Sequence, residues 1–99
     1  MIKKVSKRGS DKVKVTFVLP EDHDYGENVH VVGDFNNWTP GENKLIRRSN
    51  KTYSTNAKLD EGDSYEFRYY SEDMGYFNEP EADGYVANEH GEENCVVEA

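Results

Sequence analysis

The segment KVKVTFVL, residues 12–19, alternates apolar and polar side chains almost without a break. Val13, Val15, Phe17 and Leu19 fall on one side of an extended chain, and lysine or threonine occupies most of the other. This period of two predicts a β-strand with one buried face, because successive side chains of a strand point to opposite faces. Such a strand is stable only in a sheet that packs its apolar face against another layer.

Further strand patterns follow, separated by turn-forming residues. VHVVGDF predicts a strand in which Gly33 marks a bend or a close backbone approach. TYSTNAKL and SYEFRYYS alternate in the same way, the second with Phe67 and Tyr69 on one face. KLIRRSN and the closing NCVVEA predict shorter strands, whereas we expect residues 72–93 to be mostly loop.

No segment sustains a period of 3.6, so the chain is expected to be all-β. A length of 99 residues allows one domain with one modest core. The spacing of the turns is typical of antiparallel sheets and predicts a two-sheet, immunoglobulin-like β-sandwich of about seven short strands. We expect a single domain over residues 1–99, with residues 1–11 loosely ordered as a solvated lead-in to the first strand.

The charge balance argues against polyanionic partners. The chain carries 20 acidic and 12 basic side chains, a formal net charge of −8, and residues 72–93 hold eight acids and no lysine or arginine. Binding to nucleic acid or to an anionic membrane depends on lysine and arginine that neutralise phosphates. We therefore expect neither partner.

Cysteine and histidine usage also narrows the function classes. Cys95 is the only cysteine, and its apolar neighbours predict a small core residue in a reducing compartment. His23, His30 and His90 do not combine with it at any familiar ligand spacing, so we expect no metal and no other cofactor. The first residues lack an apolar run able to serve as a signal-peptide core, which leads us to expect a cytoplasmic protein.

Catalytic signatures are missing from the sequence. No Ser-His-Asp order, glycine-rich phosphate loop or zinc motif is present. A glycosidase needs two carboxylates at a defined separation across a cleft, and the acids here fall on turns or on outward-facing strand positions. We therefore expect a protein that is not an enzyme.

Trp38 is the only tryptophan, and it lies in the polar turn NNWTPGEN. A large apolar ring held in surface-type sequence suits ligand binding. Rings displayed on the face of a sandwich can pack on the C–H faces of a pyranose, while asparagine, arginine and glutamate side chains orient the hydroxyls. Phe35, by contrast, alternates with Gly33 and Val31 and is assigned to the core.

Three motifs occur in order along the chain: VHVVGDFNNWTP, LDEGDSYEFRYY and GYFNEPEADGYVANEHGEENCVV. Together they resemble carbohydrate-binding module family 48. This early-set sandwich is found at the amino-terminal side of isoamylases and branching enzymes and in the glycogen-binding domain of the AMP-activated protein kinase β subunit. The resemblance extends from Lys12 to Val97. It implies an immunoglobulin-like early-set domain that binds α-1,4-glucans such as glycogen, starch or maltooligosaccharides without catalysis.

The resemblance also implies site residues. Trp38 and Tyr76 match two aromatic platforms, although tyrosine stands where the family often has tryptophan. Arg68 matches a sugar-contacting lysine, and Asn94 matches an asparagine that hydrogen-bonds glucose hydroxyls. His90 and Glu92 replace a leucine and a threonine that embrace the sugar chain, and they are expected as outer contacts.

Plainer interpretations of the same residues stay open at this stage. Trp38 can pack within its loop or the core, Tyr76 can cap the end of the sandwich, Arg68 can form an exposed cross-strand ion pair, and Asn94 can shape a strand entry. The alternative function is a protein-interaction module that docks on a separately encoded glycogen- or starch-active enzyme without binding sugar itself.

Overall fold

The computed structural model describes all 99 residues and consists almost entirely of strands. One turn of 3-10 helix, Asp34–Asn36, follows the third strand. The strands are β1 Ile2–Ser6, β2 Lys12–Leu19, β3 Val29–Gly33, β4 Ile46–Arg47, β5 Tyr53–Asp60, β6 Ser64–Ser71, β7 Gly75–Phe77, β8 Gly84–Ala87 and β9 Glu93–Glu98.

Two antiparallel sheets pack face to face and form the predicted all-β sandwich. The first sheet has the order β1-β2-β5-β4, and the second has the order β3-β6-β9-β8 with β7 paired to β6. Apart from β7 and β8, these orders are those of a constant-type immunoglobulin domain. This framework has seven strands, the number predicted. Six of them were located from the sequence, the seventh is β1, and β7 and β8 are additions between β6 and β9.

One expectation about local order was wrong. Residues 1–11 are not loosely ordered throughout, because Ile2–Ser6 forms β1 and pairs with β2 from Ile2 opposite Phe17 to Ser6 opposite Val13. Pairing satisfies the free backbone groups along the edge of β2, and the side chain of Ile2 packs against the core. Residues 72–93 are mostly loop, as expected, and they also contain the short strands β7 and β8.

The core lies between the sheets and consists of twelve buried side chains. The predicted buried face of β2 is confirmed, since Val13, Val15, Phe17 and Leu19 are all members. Phe67 of β6 meets Phe17 with ring centroids 5.0 Å apart, a separation typical of favourable aromatic pairs. One face of β2 and one face of β6 therefore supply half of the core, as their alternation predicted, and β3, β5, β9 and Leu45 supply the rest.

Gly33 allows a close backbone contact between β3 and β6. A Cβ atom on this residue would lie 2.6 Å from the carbonyl oxygen of Glu66 and 2.8 Å from Cβ of Phe67. Its backbone is extended, so the requirement for glycine comes from space and not from an unusual dihedral angle. The predicted close backbone approach is confirmed.

We expect Gly33→Ala to lower the free energy of unfolding by about 2–4 kcal/mol, because the new methyl group overlaps with backbone that cannot rotate away. Gly84→Ala is the matched control, since Gly84 also lies in a strand and its added Cβ would meet only Cβ of Val96 at 3.8 Å. Urea denaturation of both variants measures the difference. Equal stability of the two would contradict the packing described.

A buried carboxylate lies at one end of the core. Glu79 is completely inaccessible to solvent. Its side chain accepts hydrogen bonds from the hydroxyl of Tyr69 at 2.9 Å and from the backbone N–H of Glu81 at 2.8 Å, and it pairs with the α-amino group of Met1. Burial raises the pKa of Tyr69 well above its ordinary value, and the neighbouring carboxylate raises that pKa further. The folded state therefore holds Tyr69 neutral.

This arrangement predicts a loss of stability at alkaline pH. Above about pH 10 the unfolded Tyr69 releases its proton and the folded residue retains it, so the free energy of unfolding falls by up to about 1.4 kcal/mol per pH unit. Tyr69→Phe has no hydroxyl at this position and therefore lacks this pH-dependent change in the free energy of unfolding. The difference in unfolding free energy between the wild type and this variant should thus shrink from pH 10 to pH 11 in urea titrations, and a constant difference would contradict the assignment.

Candidate functional site

A concave surface of about 590 Å³ opens on the outer face of the second sheet. Glu66 and Arg68 form its floor, because they alternate along β6 with the core residues Phe67 and Tyr69. We call this surface the β6 cleft. Its lining residues are Asp34, Trp38, Glu66, Arg68, Tyr76, Asn88, Glu89, His90, Glu92 and Asn94.

All six residues singled out from the sequence line the β6 cleft. Trp38 comes from the connection between β3 and β4, Arg68 from β6 and Tyr76 from β7. Asn94 comes from β9, and the remaining two belong to the turn between β8 and β9. Residues distant in the chain therefore meet on one face because β6 pairs with β3, β7 and β9 together.

The Trp38 loop, residues 34–43, is held by the side chain of Asn36. Its Oδ1 accepts the N–H of Gly33 at 2.9 Å, and its Nδ2 donates to the carbonyl oxygen of Val31 and to Oδ1 of Asn43, both at 2.9 Å. The amide group thus joins both ends of the loop to β3. The side chain of Asn36 therefore shapes this turn.

Trp38 itself adopts a strained backbone conformation. Asn37 and Trp38 have φ angles of 55° and 57°, in the left-handed region. Asparagine tolerates that region, whereas a bulky side chain is rarely found there and costs on the order of 1 kcal/mol. The N–H of Trp38 donates to the carbonyl oxygen of Gly33 at 2.9 Å, so the loop imposes this conformation and directs the ring away from the core.

Asp34 connects the indole to the sheet. Its Oδ1 accepts the Nε1–H of Trp38 at 3.2 Å, and its Oδ2 accepts the backbone N–H of Glu66 at 2.8 Å. Both carboxylate oxygens are therefore engaged, one by the ring and one by β6. The half-buried indole is positioned against the cleft, and it is not a member of the core cluster.

The far side of the Trp38 loop is fixed by a buried histidine. Nδ1 of His30 accepts the N–H of Gly41 at 3.0 Å, and its Nε2 lies 2.8 Å from a carboxylate oxygen of Glu72. Because Nδ1 accepts, the neutral ring carries its proton on Nε2 and donates it to Glu72. The loop is thus attached at both ends, which limits the freedom of the indole between them.

Tyr76 contributes the second ring of the cleft. It lies in β7 opposite Tyr70, the two ring centroids are 5.0 Å apart, and 55% of its surface remains exposed. The guanidinium carbon of Arg68 is 5.5 Å from the Tyr76 ring centroid, within the range of a cation–π contact. The phenol is therefore supported by its neighbours and stays open to solvent.

Arg68 is buried, with 9% of its surface exposed. It lies where β6 passes from its partner β9 to its partner β7. Its Nε donates to Oδ1 of Asn78 at 2.8 Å, and its Nη1 donates to Oε1 of Glu92 at 2.7 Å. The interpretation as an exposed cross-strand ion pair was wrong, because the guanidinium fills the gap between two strands and its carboxylate comes from a turn.

Asn94 belongs to a row of side-chain hydrogen bonds. Its Nδ2 donates to Oε1 of Glu66 at 3.1 Å, and its Oδ1 accepts from Nδ2 of Asn88 at 3.1 Å. Oδ1 of Asn88 in turn accepts the backbone N–H groups of His90 and Glu92. The row orders the β8–β9 turn and sets the orientation of the Asn94 amide in the cleft.

His90 and Glu92 take different positions at the rim. The imidazole of His90 is 78% exposed, and its closest charged neighbour is Glu89 at 3.8 Å. Glu92 is engaged by Arg68, as described above. Of the two predicted outer contacts, the side chain of His90 is therefore the less restrained.

Four lining residues were missed from the sequence: Asp34, Glu66, Asn88 and Glu89. Glu66 could have been found, since it alternates with core residues on β6 beside Arg68. Asp34 and Asn88 act through hydrogen bonds to other loops, and no local pattern signals them. Glu89 reaches the cleft only because of the way the β8–β9 turn folds.

The cleft combines two aromatic rings with charged and amide groups. No group of three or more His, Cys, Asp or Glu side chains in the structure is arranged to hold a metal ion. Cys95 is fully buried, and burial raises the pKa of its thiol, as expected for a core residue. No helix in the structure is long and apolar enough to cross a membrane.

Compared with known proteins, the chain matches no family model, and no curated protein is significantly similar to it. The resemblance to carbohydrate-binding module family 48 therefore stays a prediction from the three motifs.

Asn36→Ala tests the positioning of the Trp38 loop. We expect it to lower the free energy of unfolding by about 2–3 kcal/mol, because it leaves several buried backbone and side-chain groups without partners. It should also change the fluorescence of Trp38, the only tryptophan. Asn56→Ala, at an exposed strand position, is the control and should stay within about 0.5 kcal/mol of the wild type. An Asn36 variant as stable as this control would refute the anchoring role.

Proposed function

We propose that the chain is a non-catalytic module that binds α-1,4-glucans, such as glycogen, starch or maltooligosaccharides. The observation that carries the proposal is that Trp38 and Tyr76 line the same open cleft as the amide of Asn94 and the guanidinium of Arg68. Aromatic faces and oriented hydrogen-bonding groups in one concave surface are the requirements for recognising a sugar ring.

The rings provide the apolar part of this recognition. A pyranose presents flat C–H faces, and these pack on the negative face of an aromatic ring. Trp38 is held by its loop and Tyr76 by its strand, so little conformational entropy is lost when a sugar binds. Tyr76 offers a smaller face than a tryptophan would.

Polar groups at the floor of the cleft provide donors and acceptors. Arg68 uses two of its five N–H groups in the fold, which leaves three for ligand hydroxyls. The carboxylates of Glu66 and Glu89 add acceptors. Because the cleft is open and few groups lose water completely, we expect dissociation constants on the order of 10 μM to 1 mM for single oligosaccharides.

The absence of catalysis is part of the proposal and is supported by how the carboxylates are used. Both oxygens of Asp34 are occupied, Glu92 is paired with Arg68, and Glu66 holds Asn94. Such groups serve as positioning elements for the cleft. A free, buried Cys95 suits a reducing compartment, so the proposal includes glucan in the cytoplasm.

Trp38→Ala and Tyr76→Ala should each weaken binding of maltoheptaose by about tenfold or more, because each removes one stacking face. NMR titration of backbone amides measures the dissociation constants and locates the bound ligand. Trp38→Phe, which keeps a ring, should retain more affinity than Trp38→Ala.

Met74→Ala is the matched control, because Met74 is exposed to 63% and lies outside the cleft. It should bind maltoheptaose like the wild type. Retardation of the protein in a native gel containing glycogen provides a second readout. If the Trp38 and Tyr76 alanine variants bind as tightly as the Met74 variant, the cleft is not the glucan site.

A second candidate function is a module that docks on a separately encoded glycogen- or starch-active enzyme. It is favoured by β8, an edge strand without charged residues whose Tyr85 and Val86 are exposed. Uncharged edges are suited to strand addition. Ala87→Lys, on this edge and on the face opposite Asn94, should abolish such docking and leave glucan binding intact, and this result separates the two functions.

A further inference from the structure

The β6 cleft has a strongly unbalanced charge. Four carboxylates line it, from Asp34, Glu66, Glu89 and Glu92. The only lysine or arginine in the lining is Arg68, which pairs with Glu92 at 2.7 Å. Three carboxylates are therefore left without a compensating cation when His90 is neutral.

No lysine reaches the lining of the cleft. Lys44, which is bridged to His30 of β3, donates to Oδ1 of Asn28 outside the lining. The lysines of the strands all belong to the first sheet, and Lys4 pairs with Asp83 beside β8. Lys14 of β2 and Lys58 of β5 are register partners there, and both alternate with residues of the inner face. The complete set is Lys3, Lys4, Lys12, Lys14 and Lys58.

Arg68 is poorly placed to receive an anionic ligand. Its Nε is engaged by Asn78, its Nη1 by Glu92, and its surface is 9% exposed. A phosphate that accepts from the remaining N–H groups of Arg68 would lie beside Glu92 and near the three other carboxylates. The cation that normally recognises such a group is therefore already neutralised by the fold.

We infer that the β6 cleft selects glycans by charge: it accepts neutral and amine-bearing glucans and rejects glucans that carry phosphate, sulfate or carboxylate groups. This inference rests on the proposed glucan-binding function and adds a substrate class to it. The rings of Trp38 and Tyr76 define the site, and Asp34, Glu66 and Glu89 determine its selectivity.

The expected size of the effect follows from Coulomb's law. A phosphate dianion about 8 Å from three uncompensated charges in a water-like medium should lose on the order of tenfold or more in affinity at 10 mM ionic strength. At 150 mM the penalty should fall to about fivefold, and at 500 mM to about twofold, because the screening length shortens. A single ammonium group should gain affinity with the same salt dependence and a smaller magnitude.

The test compares three ligands of equal length: maltoheptaose, a maltoheptaose with one phosphate ester at C6, and the corresponding 6-amino-6-deoxy compound. Dissociation constants are measured by NMR titration at 10, 150 and 500 mM ionic strength. We expect the order amine, neutral, phosphate from tightest to weakest, with the three values converging at high salt.

Charge variants assign the effect to named residues. Glu89→Gln removes one carboxylate that is 88% exposed. It should reduce the ratio of the dissociation constants of the phosphorylated and neutral ligands by about two- to threefold at 10 mM ionic strength. Glu66→Gln keeps an oxygen acceptor for Asn94 and should act similarly. Glu61→Gln, in the β5–β6 turn outside the cleft, is the control and should leave this ratio of dissociation constants unchanged.

The outcomes separate the inference from the function on which it rests. Equal affinity for all three ligands, or tighter binding of the phosphate, would overturn the charge selectivity and leave glucan binding in place. No binding of any ligand would overturn both. Binding of the amine compound without measurable binding of maltoheptaose would support charge selectivity and overturn the neutral-glucan proposal.

Discussion

The contact between Gly33 and β6 connects the fold to the candidate site. With no Cβ, Gly33 lets the backbone of β3 lie against Glu66 and Phe67 at a distance that any larger residue would prevent. The same residue donates its N–H to Asn36 and accepts the N–H of Trp38. Gly33 therefore brings β3 and β6 together through its packing. Its two hydrogen bonds hold the start of the Trp38 loop and fix the position of the indole.

The polar side chains of the cleft also provide hydrogen-bond partners for polar groups that the fold buries. The partner of β6 changes from β9 to β7 at Arg68, and the guanidinium fills that interruption with help from Asn78, which also donates to the carbonyl oxygen of Glu93. No buried side-chain nitrogen or oxygen in the structure lacks a hydrogen-bond partner. Residues that hold the second sheet together are thus the same residues that face a ligand, which gives the cleft a rigid floor.

Much of the framework could be predicted from the sequence, because β2 and β6 each direct one face into the core and their apolar residues therefore alternate along the chain. β1 could not be predicted, because its lysines interrupt the alternation of apolar and polar residues and its stability comes from pairing with β2. The six candidate residues were found through three motifs, and the structure brings them to one surface. The ion pair between Arg68 and Glu92 could not be predicted from the sequence, because the two residues are 24 positions apart and meet only after β8 and β9 pair.

Most lysines of the first sheet lie on the side of the molecule opposite the carboxylates of the cleft, and the molecule is only 22 Å across in its shortest dimension. This separation contributes an electric dipole, which acts in addition to the net charge. On a positively charged support the molecule should adsorb with the cleft towards the surface and hide it. On a negatively charged support it should turn the cleft outward, so the sign of an immobilising matrix determines whether the rings remain accessible.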